Sequence, residues 1–159
     1  MGIYGLDKLE DFLKNCEKII VIGVGNPLSR VDSIGITVCS FISEHSPNLH
    51  IELAFNAPEN ILSKFLSSDH THVLVVDAVD AHLPVGSLIF LSPSDVASET
   101  ATTHTVPMSL MLKVFESEGK QTLILGIQIP KDRDFSKEEL QRIYASVGNV
   151  FKIILKRCG

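Results

Sequence analysis

The segment Lys18-Ile19-Ile20-Val21-Ile22-Gly23-Val24-Gly25 constrains this chain more than any other, because nothing between Ile19 and Gly25 is polar. A β-branched run of that kind reads as a strand buried on both faces, the situation of a parallel sheet covered by helices on either side. His72-Val73-Leu74-Val75-Val76 is a second such run. Amphipathic stretches alternate with these runs. Leu6, Leu9, Phe12, Leu13 and Cys16 recur at helical spacing with charged residues between them. Further helices are predicted over Ile34 to Glu44, Pro58 to Ser68, Pro107 to Glu118 and Ser136 to Lys156. The remaining strands are predicted over Leu49 to Phe55, Gly86 to Leu91 and Gln121 to Ile129. The polar stretch Ser92 to His104 reads as a loop holding a short helical turn. This order predicts an α/β fold, a three-layer α/β/α sandwich on a five-stranded, mostly parallel sheet. The short link between the strands near Val75 and Phe90 predicts one antiparallel neighbour. With 159 residues, no linker and no internal repeat, residues 1–159 read as a single domain.

Composition narrows the partners. Lys and Arg number 14 against 19 Asp and Glu, a formal charge of −5, with no basic cluster to attract nucleic acid or anionic lipid. Neither a membrane-length apolar run nor the basic flank of a secretory signal is present, so a cytoplasmic protein without membrane insertion is expected. Cys16, Cys39 and Cys158 are odd in number and widely spaced, which predicts unpaired thiols in a reducing compartment.

Ligand sites of open α/β sheets gather at the carboxyl ends of the strands, where the winding reverses. Asp32 lies in the loop after the first apolar run, Asp77 at the predicted end of the third strand, and His104 just ahead of a helix. If the first and third strands are neighbours, two carboxylates and an imidazole converge on one crevice. That O/O/N set suits a divalent metal with positions open to another partner. Each residue has a structural rival: Asp32 as a helix N-cap, Asp77 as a turn cap, His104 bound to a loop carbonyl. Paired carboxylates Asp32 and Asp77 also suit acid/base catalysis.

Other chemistries fit less well. Gly23-Val24-Gly25 lacks the third glycine of a dinucleotide fingerprint, since Leu28 stands there and Gly35 comes too late, and no Walker lysine follows. No G-x-S-x-G elbow is present, and Cys39 lies on an apolar helical face. His45, His50, His70, His72 and His82 show no ligand spacing and read as solvated.

Several of these motifs together resemble the maturation endopeptidases of nickel-iron, or [NiFe], hydrogenases. The resemblance is carried by Gly23-Val24-Gly25-Asn26-Pro27-Leu28 with Asp32 and Gly35, and by Val75-Val76-Asp77-Ala78-Val79-Asp80 followed by Pro84-Val85-Gly86. Thr102-Thr103-His104 with Pro107, and Leu125-Gly126-Ile127-Gln128, continue it. Ala57-Pro58-Glu59-Asn60 is similar to the branch serving formate-hydrogenlyase-type and energy-converting hydrogenases. It runs from about Lys18 to the C-terminus, leaving residues 1–17 as an N-terminal helical extension.

The resemblance implies an endopeptidase that cuts a C-terminal extension from the hydrogenase large-subunit precursor once nickel is inserted. It implies that Asp32, Asp77 and His104 recognise that nickel, with Asp80 in support. Nickel is then carried by the substrate, and no tightly held cofactor is expected. Water would be activated by the nickel as a Lewis acid or by Asp32 or Asp77 as general base. Family loops carry two consecutive acids followed by glycine; here Val31 and Ser33 stand in place of the first acid and the glycine. The Ser33 change matters if that position needs a left-handed backbone. The altered loop leaves a second reading, a non-proteolytic nickel-sensing or delivery module for the same precursor. A third is a small-molecule hydrolase or nucleotide-binding protein on the same fold. Oligomeric state stays open.

Overall fold

In the computed structural model, which describes residues 1–55, 58–96, 101, 102 and 105–158, the apolar runs form the middle of one sheet. The strands are β1 (Ile3–Tyr4), β2 (Ile19–Val24), β3 (His50–Phe55), β4 (His72–Asp80), β5 (Leu88–Leu91), β6 (Ala101–Thr102) and β7 (Gln121–Gln128). The helices are α1 (Leu6–Phe12), α2 (Ile34–His45), α3 (Pro58–Phe65), α4 (Pro93–Val96), α5 (Thr105–Ser117) and α6 (Lys137–Arg157). The sheet order is β1-β5-β7-β4-β2-β3, with β6 pairing β4 off this path. Strands β3, β2, β4 and β7 are mutually parallel, and β5 runs antiparallel to β7.

The five longer strands are the five expected. The antiparallel strand is β5, as expected, but its neighbour is β7 and not β4. The reason is burial: β4 is covered on both faces for eight residues and is flanked by β2 and β7, while the four-residue β5 with half-buried Ile89 takes an outer place. Strands β1 and β6 have two residues each, too short to leave any periodicity.

Side-chain alternation divides the core. Val21, Leu74, Val76, Leu125 and Ile127 face a layer made by α1, α2 and α6; Ile20, Ile22, Val73, Val75 and Ile124 face α3 and α5. Helix α6 starts at a capping box, with the Glu139 amide donating to Ser136 Oγ at 3.1 Å and the Ser136 amide to Glu139 Oε1 at 2.8 Å. Arg133 forks onto Glu139 at 2.8 and 2.9 Å, and that pairing, helped by the Ser136 amide, holds the Glu139 carboxyl down at about 2. No helix among the described residues is long and apolar enough to cross a membrane.

The N-terminal segment extends the sheet and seals its edge. Strand β1 pairs in parallel with β5, Gly5 turns the chain at φ 80°, and Leu9, Phe12 and Leu13 enter the core. The expectation of unpaired thiols is corrected here. Cys16 and Cys158 form a disulfide across a Cα separation of 5.0 Å, although 142 positions separate them in sequence. Spacing carried no signal, because only the packing of α6 brings Cys158, just past its end, to Cys16 between α1 and β2. Cys39 stays free and buried, and burial pushes its thiol up to about 12.

Candidate active site

Strand order places the winding reversal between β2 and β4: the chain leaves β2 for β3 on one side and returns to β4 on the other. Asp32 and Asp77 lie around that switch point. The last β2–β4 pair is Gly23 with Val76, after which Val24 shifts register toward Phe55. Asp77 is thus the first β4 residue beyond the pairing with β2, with Gly126 of β7 opposite it on the other side.

Three glycines bring the Asp32 loop down onto this point. A Cβ on Gly35 would lie 2.3 Å from the Val76 carbonyl oxygen and 2.6 Å from that of Val24. One on Gly25 would lie 2.5 Å from the Asp32 carbonyl oxygen, and one on Gly23 would lie 2.9 Å from Cys39 Cβ. The first turn of α2 therefore rests directly on the end of β2 and on Val76 within β4. Gly35 performs the close helix–strand packing that the third glycine of a dinucleotide fingerprint would supply, but from a later position.

The loop is held by its own polar groups. The Leu28 amide donates to Asn26 Oδ1 at 3.0 Å, the Asp32 amide to Ser29 Oγ at 3.2 Å and the Ser33 amide to the Ser29 carbonyl at 3.0 Å. Ser33, not Asp32, is the N-cap residue of α2, and its φ of −85° needs no glycine. The departure at Ser33 is thereby explained, and the capping rival for Asp32 falls away. The half-buried Asp32 carboxylate has no hydrogen bond or ion pair with another described residue. Leu28, at the loop's tip, is 94% exposed.

Asp77 is not at the end of its strand, as the sequence suggested, but three residues inside it, because β7 and β6 keep β4 extended as far as Asp80. It is fully buried, on the face of Val75 and Val79 that packs toward α5, and its Oδ1 accepts from the Ala78 amide at 2.8 Å. A buried carboxylate inside a strand caps no turn. Asp80 has a supporting place: its Oδ1 accepts from Gln128 Nε2 at 3.2 Å and the His82 amide at 3.3 Å. The Gln128 bond foremost lowers its carboxyl below the ordinary range. His104, with the Ala57 and Thr103 motif positions, lies outside the described residues. Among those described, no group of three or more His, Cys, Asp or Glu side chains is arranged to hold a metal ion.

The structure also corrects the reading of the histidines as solvated: His70 and His72 are buried, at 6% and 2% exposure. Both stand at the opposite end of the sheet from Asp77, around the start of β4.

The profile of the hydrogenase maturation protease family (HycI) matches residues 56–157, a span that includes Asp77 and His104 and begins after Asp32. A Methanocaldococcus jannaschii sequence provisionally named a hydrogenase maturation protease is 29% identical over 139 residues, covering 81% of this chain and 82% of its own. The hydrogenase 3 maturation protease of Escherichia coli K12 is 31% identical over 74 residues, 46% of this chain and 47% of its own. The crystal structure of the NiFe hydrogenase maturation protease HycI from Thermococcus kodakarensis superposes with a TM-score of 0.76. It is 22% identical and covers 94% of this chain and 99% of its own.

Proposed function

The chain belongs to the hydrogenase maturation protease family and is a peptidase, and from that premise we propose that it removes the C-terminal extension of a hydrogenase large-subunit precursor after nickel insertion. The nickel arrives with the substrate. Asp32 offers it carboxylate oxygens from the loop after β2 and Asp77 from within β4, and His104 offers an imidazole from just before α5. Hard oxygen and borderline nitrogen donors suit nickel(II) with positions left for the precursor's own ligands. Discrimination then follows by linkage, since a precursor without nickel lacks the bridging contact and is held less well.

The observation that supports this reading best is the placement of Asp77. It is a fully buried carboxylate at the winding reversal, level with the point where β2 departs. Its Oδ1 accepts from the Ala78 amide, and it stands where open α/β sheets bind ligands. Either the nickel polarises the scissile carbonyl, or a carboxylate takes a proton from the attacking water.

The test mixes the purified protein with nickel-loaded and nickel-free precursor and follows both by intact mass. Loss of a C-terminal fragment from the loaded form alone is expected. It should disappear in Asp77→Asn, Asp32→Asn and His104→Ala proteins that melt like wild type. Wild-type rates in all three variants would sink the assignment. Stable binding without any mass change would replace it with the delivery reading.

A further inference from the structure

Against the Asp32 loop, on the side of the sheet covered by α2 and α6, lies a cavity of about 250 Å³. Its two walls are far apart in sequence: the Asp32 loop running into α2, and the loop between β7 and α6. Ile34, Phe135 and Leu140 make its interior apolar. Phe135 stands just before the Ser136 cap and Leu140 four residues after it, the two positions of a hydrophobic staple. With the capping box and the Arg133–Glu139 fork, that wall is held in place by local contacts. The opposite wall is the first turn of α2, which Gly35 seats against the Val24 and Val76 carbonyls. Both walls are thus set before anything binds, which cuts the ordering cost of binding.

The mouth carries one charge of each sign. Arg30 Nη1 lies 3.7 Å from Asp134 Oδ2, too far for a hydrogen bond, and both side chains are well exposed. A pair of that kind contributes little and opens at little cost. Neither charged group hydrogen-bonds to another described residue. The neighbouring hydroxyls are committed within the loop: Ser33 donates to the Arg30 carbonyl at 3.3 Å and Thr37 to the Ser33 carbonyl at 3.1 Å.

These features select the occupant. A neutral donor–acceptor couple suits neither an anion nor a cation. It suits the C=O and N–H of one extended residue, which point to the same side and pair together with a neighbouring strand. The volume falls below the roughly 300–1,000 Å³ of sites for whole drug-sized molecules, and is on the scale of a single bulky side chain. The cavity is continuous with the candidate active site, because Arg30 and Ser33 flank Asp32 in the same loop.

We propose that this cavity is a specificity subsite of the peptidase, taking one bulky apolar side chain of the precursor from a residue near the cleaved bond. Arg30 donates to that residue's carbonyl and Asp134 accepts from its amide. The inference rests on the peptidase reading and names a feature of the substrate for the same site. The precursor chain then crosses the carboxyl end of the sheet, from Asp77 on the α5 side to the cavity on the α2 and α6 side. The subsite sets which bond lies over the carboxylates, and does so apart from nickel.

Nickel-loaded precursor is presented to Thr37→Trp protein, whose indole fills the cavity from an exposed position of α2, and to Arg30→Met protein, which keeps the stem and loses the donors. Processing followed by intact mass should show KM raised roughly tenfold or more in Thr37→Trp and by a smaller factor in Arg30→Met, with kcat and Tm near wild type. An alanine scan of the precursor residues flanking the cut should find one bulky apolar residue whose loss raises KM for wild type and adds nothing in Thr37→Trp. Wild-type KM in both variants, or a scan whose effects all add to Thr37→Trp, overturns the subsite and leaves the peptidase reading standing. Precursor bound by wild type and more weakly by Thr37→Trp, with neither cutting it, supports the subsite and overturns the peptidase reading. A wild type that neither cuts nor binds the precursor overturns both.

Discussion

Replacing Gly35 with alanine tests the structural basis of the active site in one methyl group. The added Cβ would sit 2.3 Å from the Val76 carbonyl oxygen and 2.6 Å from the Val24 oxygen. Carbon–oxygen contacts in proteins settle at about 3.3–3.6 Å, so α2 must withdraw by roughly 1 Å. Both obstructing atoms are backbone of buried strands, so the strands cannot yield and the helix must. Overpacking of this kind costs about 1–3 kcal/mol. For a chain of this size that lowers Tm by roughly 2–4 °C for each kcal/mol. Asp32 lies three residues before Gly35 and moves with α2, while Asp77 stays in the sheet. A displacement of about 1 Å between groups that act together costs on the order of 100-fold in rate. Precursor processing followed by intact mass should therefore slow far more than the melting point suggests. Gly148→Ala is the control, because a Cβ there meets nothing within 4 Å. A Gly35→Ala protein with wild-type processing and an unchanged Tm would refute the reasoning that glycine packing at the switch point aligns the two carboxylates.

Cys158→Ser should cost up to about 5 kcal/mol, since the cross-link closes a loop of 142 positions in the unfolded chain. Urea melts should show a midpoint lower by roughly 2–3 M at an ordinary m-value, whereas equal midpoints for the oxidised wild type and the variant would contradict it. Glu139→Gln retains the cap but loses the Arg133 pairing, so it should cost about 1 kcal/mol or less at neutral pH. The folded carboxyl titrates near 2 against an ordinary 4.5, so the charge-dependent stabilisation is complete above 4.5 and is lost as pH falls toward 2. The gap between denaturant melts of the two proteins should narrow from pH 7 to pH 3 and close toward pH 2. Leu28→Glu, at the most exposed apolar position beside the site, should raise KM for the precursor with kcat unchanged. An equal fall in kcat would place Leu28 in the chemistry instead.

Much of the fold was legible because burial writes itself into composition over short windows. The run Ile19 to Gly25 could only be a strand covered on both sides, and the closing helix expected from Ser136 starts within one residue of α6. The loop after β2 and the acidic motif of β4 were legible as chemistry because polar groups beside such runs must do something specific. Arg30 and Asp134 were missed as a pair because contacts between loops far apart in sequence leave no local pattern.

Local composition and periodicity thus determined the alternation of helices and strands, the buried faces, and Asp32 and Asp77 as candidates. Tertiary structure alone decided that β5 lies against β7, that Asp77 is inside its strand, that Gly35 seats α2 on β2 and β4, and that Cys16 meets Cys158. The difference is one of range. Periodicity reports which face of an element avoids water, a property of neighbouring residues. Which elements share that dry interior, and at what register, depends on how all the faces pack at once.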